Sequence, residues 1–236
     1  MLSIGHRGAA GHEPENTLRS VACAMRLGVD WIEIDVQRVD GELIVFHDDT
    51  LERTTNGSGA VAEQSFSALR ELDAGKGEKI PTLSEVLDLI DARVGLNIEI
   101  KGPDCVASVT EMVSDYLERQ PAWSDKILLS SFDETQTAEL AEGERNYALG
   151  MLFEQDAEVA LARAKAFKAS TIHPSMKQVT PELVADAHAA GIKVFVYTVN
   201  EPEDIAVMRA LKVDGVFSDY PDRVVEPSML PAGTNP

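Results

Sequence analysis

Four short stretches hold most of the side chains able to do chemistry: His6-Arg7-Gly8, Glu33-Ile34-Asp35, His47-Asp48 and Asn97-Ile98-Glu99-Ile100-Lys101. In an extended strand successive side chains alternate faces, so Glu33 and Asp35 share one face, as do Asn97, Glu99 and Lys101. If those faces meet, Glu33, Asp35 and Glu99 converge on one point. Three carboxylates held that close in a dry site repel, and at least one must protonate. A bound cation removes the conflict. Oxygen-only donors suit a hard ion, Mg2+ or Ca2+, rather than zinc. Polar side chains that merely fill a strand interior with hydrogen bonds would explain one such carboxylate. They explain poorly three of them flanked by two histidines, an arginine and a lysine. The histidine side chain ordinarily changes charge near neutral pH, so His6 and His47 are candidates for general acid and general base. Arg7 offers a planar fork of donors to a phosphate, and Lys101 a point charge. Together these groups suit cleavage of a phosphate ester by charge stabilisation and proton shuttling.

These residues need a scaffold that gathers strand ends. Short apolar runs rich in Val, Ile and Leu occupy 2–5, 31–36, 43–47, 95–101, 127–131, 148–152, 170–173, 193–198 and 215–218. Such runs read as strands buried on both faces. Helical periodicity lies between many of them, at 16–27, 83–92, 106–119, 134–142, 157–167, 181–190 and 202–211. Asn16 or Thr17 can cap the first helix, Pro81-Thr82 starts the second, and Gly28, Gly143 and Gly191 sit where C-caps belong. Alternating strands and helices predict a parallel sheet. About eight strands favour a closed (β/α)8 TIM barrel over an open sheet. No GxGxxG follows the first strand, which weakens a dinucleotide-binding reading. Barrel active sites lie at the C-terminal ends of the strands, where the four reactive stretches fall. The expected organisation is one catalytic barrel over 1–225, a loop-rich insertion at about 48–80, and a loosely ordered tail at 226–236.

The chain has 236 residues and a formal charge of −19, from 21 Lys+Arg against 40 Asp+Glu. Nucleic-acid and anionic-lipid binding rest on Lys and Arg neutralising phosphates, so neither partner is expected. Halophilic adaptation is an alternative source of the acidity. Cys23 and Cys105 lie far apart with no CxxC, so neither zinc nor a disulfide framework is expected. No basic-then-apolar leader and no run of about 18 apolar residues is visible, which predicts a cytoplasmic protein without stable membrane association. The residues specify no oligomeric state.

The order and spacing of further motifs resemble one family. His6-Arg7-Gly8, Pro14-Glu15-Asn16-Thr17, Glu33-Ile34-Asp35-Val36, His47-Asp48-Asp49, Leu51-Glu52-Arg53-Thr54-Thr55-Asn56-Gly57, Pro81-Thr82-Leu83 and Glu99-Ile100-Lys101 are similar to the glycerophosphodiester phosphodiesterases. Thr198-Val199-Asn200 and Gly215-Val216-Phe217-Ser218-Asp219-Tyr220-Pro221 continue the likeness to about residue 224. The compact length looks like the cytoplasmic branch. The resemblance implies a TIM barrel with an insertion after His47 and one divalent ion on Glu33, Asp35 and Glu99. It implies His6 and His47 as the acid–base pair, with Arg7 and Lys101 on the phosphate. Such enzymes hydrolyse a glycerophosphodiester to sn-glycerol 3-phosphate and an alcohol. The attacking oxygen is water or the substrate's own glycerol hydroxyl, and His47 is slightly favoured as the acid.

Weaker candidates surround this set. Tyr197 stands where many relatives have Trp beside the glycerol; it can replace the flat face and add a hydroxyl. Glu15 either holds His6 or Arg7 or favours a helix N-terminus. Glu154 is a candidate to face substrate, and Phe132 a candidate apolar wall. His173 either lines the pocket or is structural, while His12 and His188 read as surface residues. Three alternatives stay open. A lysophospholipase D-like enzyme would need an apolar channel. A metal-dependent sugar isomerase or epimerase would have no use for the anion clamp of Arg7 and Lys101. A barrel that binds without turnover would be expected to lack one of the histidines or carboxylates.

Overall fold

The computed structural model describes residues 1–154 and 156–225; the tail expected at 226–236 lies outside them. Among the described residues the strands are β1 (Leu2–Gly5), β2 (Trp31–Val39), β3 (Glu42–Val45), β4 (Gly95–Ile100), β5 (Ile127–Ser131), β6 (Ala148–Phe153), β7 (Thr171–Pro174), β8 (Lys193–Val196) and β9 (Gly215–Ser218). Eight of them pair in parallel in the order β1-β9-β8-β7-β6-β5-β4-β2, and β1 pairs with β2 to close a TIM barrel. The ninth corrects the sequence reading. The apolar run at 43–47 is not a barrel stave. It forms β3, which folds back antiparallel on β2, with Val36 opposite Val45.

The helices are α1 (Leu18–Arg26), α2 (Phe66–Glu71), α3 (Leu83–Ile90), α4 (Val106–Arg119), α5 (Glu134–Leu140), α6 (Ala157–Ala166), α7 (Pro181–Ala189) and α8 (Pro202–Ala210). Thr17 caps α1 by accepting from the Ser20 amide at 3.1 Å. Thr82 and Glu85 form a reciprocal capping box on α3. Gly28, Gly143 and Gly191 all take positive φ past helix ends.

Alternation along each strand sorts two environments. On β2, Ile32, Ile34 and Val36 join the main core between strands and helices, while Trp31 packs with the smaller barrel-interior cluster of Ile4, Leu128, Phe195 and Phe217. The Trp31 ring lies so close over Gly95 that a Cβ there would approach it to 2.2 Å, so Gly95 lets the ring cross the barrel floor. The segment between β3 and α3 is not only loop. It carries α2, and its Phe46, Leu51, Val61, Leu69, Ala74 and Ile80 form a second core with Val39 of β2 and Ile44 of β3. Arg70 of α2 reaches the Glu85 carboxylate with both terminal nitrogens at 2.8 Å.

His173 is fully buried in the barrel interior, stacked on Phe195 and edge-on to Phe217. One ring nitrogen meets Thr171 Oγ1 at 2.8 Å, and Nδ1 has no protein partner. Burial pushes its pKa down to about 3. A histidine that stays neutral when folded but protonates when unfolded removes stability as pH falls below about 6.5, and the loss grows until pH nears 3. Denaturant unfolding should therefore show a loss from this group of about 2 kcal/mol between pH 7 and pH 5. His173→Gln should flatten the curve by that amount. Parallel curves for the two proteins would contradict it.

Candidate active site

The barrel register builds the site. β2 and β4 align so that Asp35 lies opposite Glu99 and Glu33 opposite Asn97. The three acids are nearly or fully buried, and one oxygen from each lies within 4.8 Å of the others. Burial, and next the charge of Asp35, push both Glu33 and Glu99 well above the ordinary carboxylate range. Glu33 Oε1 is buried with no protein hydrogen-bond partner. An orphaned carboxylate oxygen within an all-oxygen donor set fits a hard divalent cation.

The β1–α1 loop is stitched onto these acids. After β1 the chain turns through Arg7 and Gly8, both at positive φ. A Cβ on Gly8 would come within 2.6 Å of the Ser20 backbone, so only glycine fits there. The Arg7 amide donates to Glu33 Oε2 at 2.9 Å, and Arg7 Nε lies 3.2 Å from Asp35 Oδ2. Asn16, expected as a possible cap, instead donates Nδ2 to Asp35 Oδ2 at 2.8 Å and accepts from the Asp35 amide.

Each histidine is anchored by a carboxylate. His6 Nδ1 lies 2.7 Å from Asp219 Oδ1, and His47 Nδ1 lies 2.6 Å from Asp48 Oδ1. An ionised carboxylate only accepts, so each Nδ1 carries the hydrogen and each Nε2 is left free. His6 Nε2 lies 4.0 Å from Glu33. Burial works against charge on His6, but the bond to Asp219 and the charge of Glu33 outweigh it and raise its pKa. Asn200 steadies Asp219, donating to Oδ2 at 2.7 Å and accepting from the Asp219 amide.

One cavity of about 1310 Å3 is lined by His6, Arg7, Glu33, His47, Glu99, Lys101, Phe132, Glu154 and Tyr197. Asp35, in contact with Arg7 and Asn16, is not part of the lining. Lys101 Nζ donates to Glu99 Oε1 at 3.0 Å and sits 5.5 Å from the Phe132 ring centre. Phe132 and Tyr197 meet edge to face. The Tyr197 hydroxyl donates to the Phe153 carbonyl at 3.0 Å, so Tyr197 offers its ring, not a hydroxyl, to the cavity. Glu15 lies outside the lining and binds Arg7 and Arg53. Of the remaining histidines, His12 pairs with Asp222 and His188 with Asp214, away from the cavity.

Sequence reasoning quoted Asp48, Asp219, Asn200, Asn16 and Arg53 in motifs but did not foresee that they hydrogen-bond this set. Asp48 adjoins His47, a signal that was available. Asp219 lies 213 positions from His6, and only barrel closure brings them together.

The family model for the glycerophosphoryl diester phosphodiesterases matches residues 6–223. The chain belongs to this family. A glycerophosphodiester phosphodiesterase of Caldanaerobacter subterraneus is 34% identical over 95% of this chain and 96% of its own. Among solved structures, an Oleispira antarctica phosphodiesterase in complex with the product sn-glycerol-3-phosphate matches with TM-score 0.85 at 31% identity, covering 94% of both chains. A Thermotoga maritima glycerophosphodiester phosphodiesterase matches at 0.80 and 27%, covering 94% of this chain and 96% of its own. The chain is thus an enzyme of the phosphodiesterase class, and the isomerase reading loses its support.

The crowding of the three acids makes a direct prediction. Glu99→Gln removes one like charge, so the metal-free protein should melt no lower than wild type. Its melting rise on adding Mg2+ or Ca2+ should nearly vanish, because ligand stabilisation follows affinity. An undiminished rise would contradict the assignment of Glu99 as a ligand.

Proposed function

We propose that this chain hydrolyses glycerophosphodiesters to sn-glycerol 3-phosphate and an alcohol, aided by one divalent ion, Mg2+ or Ca2+. The observation that carries this reading is the pair of carboxylate-anchored histidines lining one cavity beside the three buried acids. The product bound in the Oleispira relative supports the same outcome. Glu33, Asp35 and Glu99 would hold the ion, which supplies positive charge where the phosphate oxygens gain negative charge.

Arg7 and Lys101 face the same space and would clamp the phosphate. Their own pKa values are raised: burial opposes it, but Asp35 and Glu33 outweigh burial at Arg7, and Glu99 and Asp35 do so at Lys101. Both therefore stay charged through the working pH range. One imidazole Nε2 would take the proton of the attacking oxygen, and the other would donate a proton to the departing alcohol. The Nδ1–H bonds to Asp219 and Asp48 would turn each Nε2 to the substrate, the base as the neutral Nδ1–H tautomer and the acid as the doubly protonated imidazolium. Phe132 and Tyr197 would line the organic part of the substrate.

Purified protein should release glycerol 3-phosphate from glycerophosphocholine with Mg2+ or Ca2+ and lose the activity in EDTA. His6→Ala and His47→Ala should each lower kcat by about 10²–10⁴. A glycerophosphodiester with a p-nitrophenol leaving group needs little protonation, so it should rescue His47→Ala far better than His6→Ala. Rescue of His6→Ala instead would exchange the two roles, and wild-type rates in both variants would remove the mechanism.

A second reading concerns an acyl chain on the glycerol. Leu152, Phe153, Val159 and Ala160 also line the cavity, apolar side chains suited to such a chain. Lysophosphatidylcholine should then also be cleaved at its choline–phosphate bond, and the Val159→Glu variant should lose that activity before it loses glycerophosphocholine hydrolysis. Equal losses on both substrates would exclude the acyl chain from this wall.

A further inference from the structure

Arg53 lies on the segment between β3 and α2 and bonds two carboxylates at once. Its Nε and Nη2 donate to Asp48 at 2.6 and 2.8 Å, and its Nη1 and Nη2 donate to Glu15, both at 2.7 Å. Those carboxylates each hold a different member of the proposed machinery. Asp48 accepts from His47 Nδ1 at 2.6 Å, and Glu15 accepts from Arg7 Nη1 at 2.7 Å. We propose that Arg53 is a positioning residue that sets the orientation of His47 and of Arg7 together, as a single brace between acid–base group and phosphate clamp. This inference rests on the functional reading above.

The geometry excludes a direct role on substrate. Arg53 does not line the cavity, and four of its five N–H donors are already engaged. Its side chain is 49% exposed, and ion pairs that open to solvent add little to stability. The value of this one lies in direction. A planar fork can fix two carboxylates in a defined relation, which an ammonium cannot. Without the guanidinium, Asp48 and Glu15 would face each other as like charges against the same vacated position, and each would swing with the group it holds.

The insertion is built to present this fork. Leu51 anchors its core at 2% exposure, and the Thr55 hydroxyl and amide both bond the Leu51 carbonyl, at 2.7 and 3.1 Å. The Asp48 carbonyl accepts from Gln37 of β2 at 2.8 Å. A displacement of the insertion would therefore reach His47 and Arg7 together.

Arg53→Gln and Arg53→Lys test this. For Arg53→Gln with saturating metal, kcat on glycerophosphocholine should fall at least tenfold as His47 loses its direction and KM should rise severalfold as Arg7 loses its own, with melting within a few degrees of wild type; Lys should recover only part. Asp48→Asn and Glu15→Gln should be non-additive in kcat/KM when Arg53 is present and additive in the Arg53→Gln background. A folded Arg53→Gln protein with wild-type kcat would overturn the proposal, as would additivity with Arg53 in place. A readout independent of turnover separates this from failure of the proposed activity. In proton NMR the His47 Nδ1–H, held by Asp48, should exchange slowly in wild type and broaden in Arg53→Gln. An unchanged resonance would overturn the brace even in an active enzyme. A broadened one would support it even if no diester were cleaved.

Discussion

Three carboxylates buried within 4.8 Å of one another constitute the constraint around which this molecule is arranged. The protein alone does not satisfy it: two of the acids are driven towards protonation, and Glu33 keeps an oxygen without a partner. Everything adjacent answers that excess of negative charge. Arg7 approaches from the β1–α1 loop, Lys101 from the end of β4, and Asn16 and the Arg7 amide donate into the cluster. A divalent ion would complete the same balance, and its charge is what a phosphodiester needs near its oxygens. A surface of net charge −19 makes such local positive charge all the more necessary.

The scaffold's contribution is direction. A barrel aligns β2 with β4 so that alternate residues face one axis, and it brings the end of β9 beside the end of β1. Those two facts place Glu33, Asp35 and Glu99 together and put Asp219 behind His6. The other histidine depends on the insertion, whose separate core carries Asp48 and Arg53 beside the barrel mouth. The site therefore draws on two packing units, one fixing the three buried acids and His6 and one fixing His47.

Much of this was legible in the sequence because period and spacing carry it. Glu33 and Asp35 two apart, and Glu99 and Lys101 two apart, can only share strand faces. The apolar runs gave strand positions, and the observed helix ends lie within two residues of those expected. What the sequence concealed was pairing direction and long-range partnership. The run at 43–47 looks like any buried strand, and only its short connection to β2 makes it antiparallel. Helix α2 is six residues long and amphipathic over too short a window to stand out. Asn16 has the chemistry of a helix cap, and its bonds to Asp35 depend on a tertiary approach that local sequence does not encode. Tyr197 suggested a hydroxyl for substrate, but Phe153 takes it.

Calorimetric titration of the metal-free protein with Mg2+, repeated in two buffers of different ionisation enthalpy, tests the central claim most directly. If the crowded acids share at least one proton until an ion arrives, binding should be one to one and should release protons, more so as pH falls from 8 to 6. Binding without proton release across that range, or no binding of either Mg2+ or Ca2+, would contradict the account.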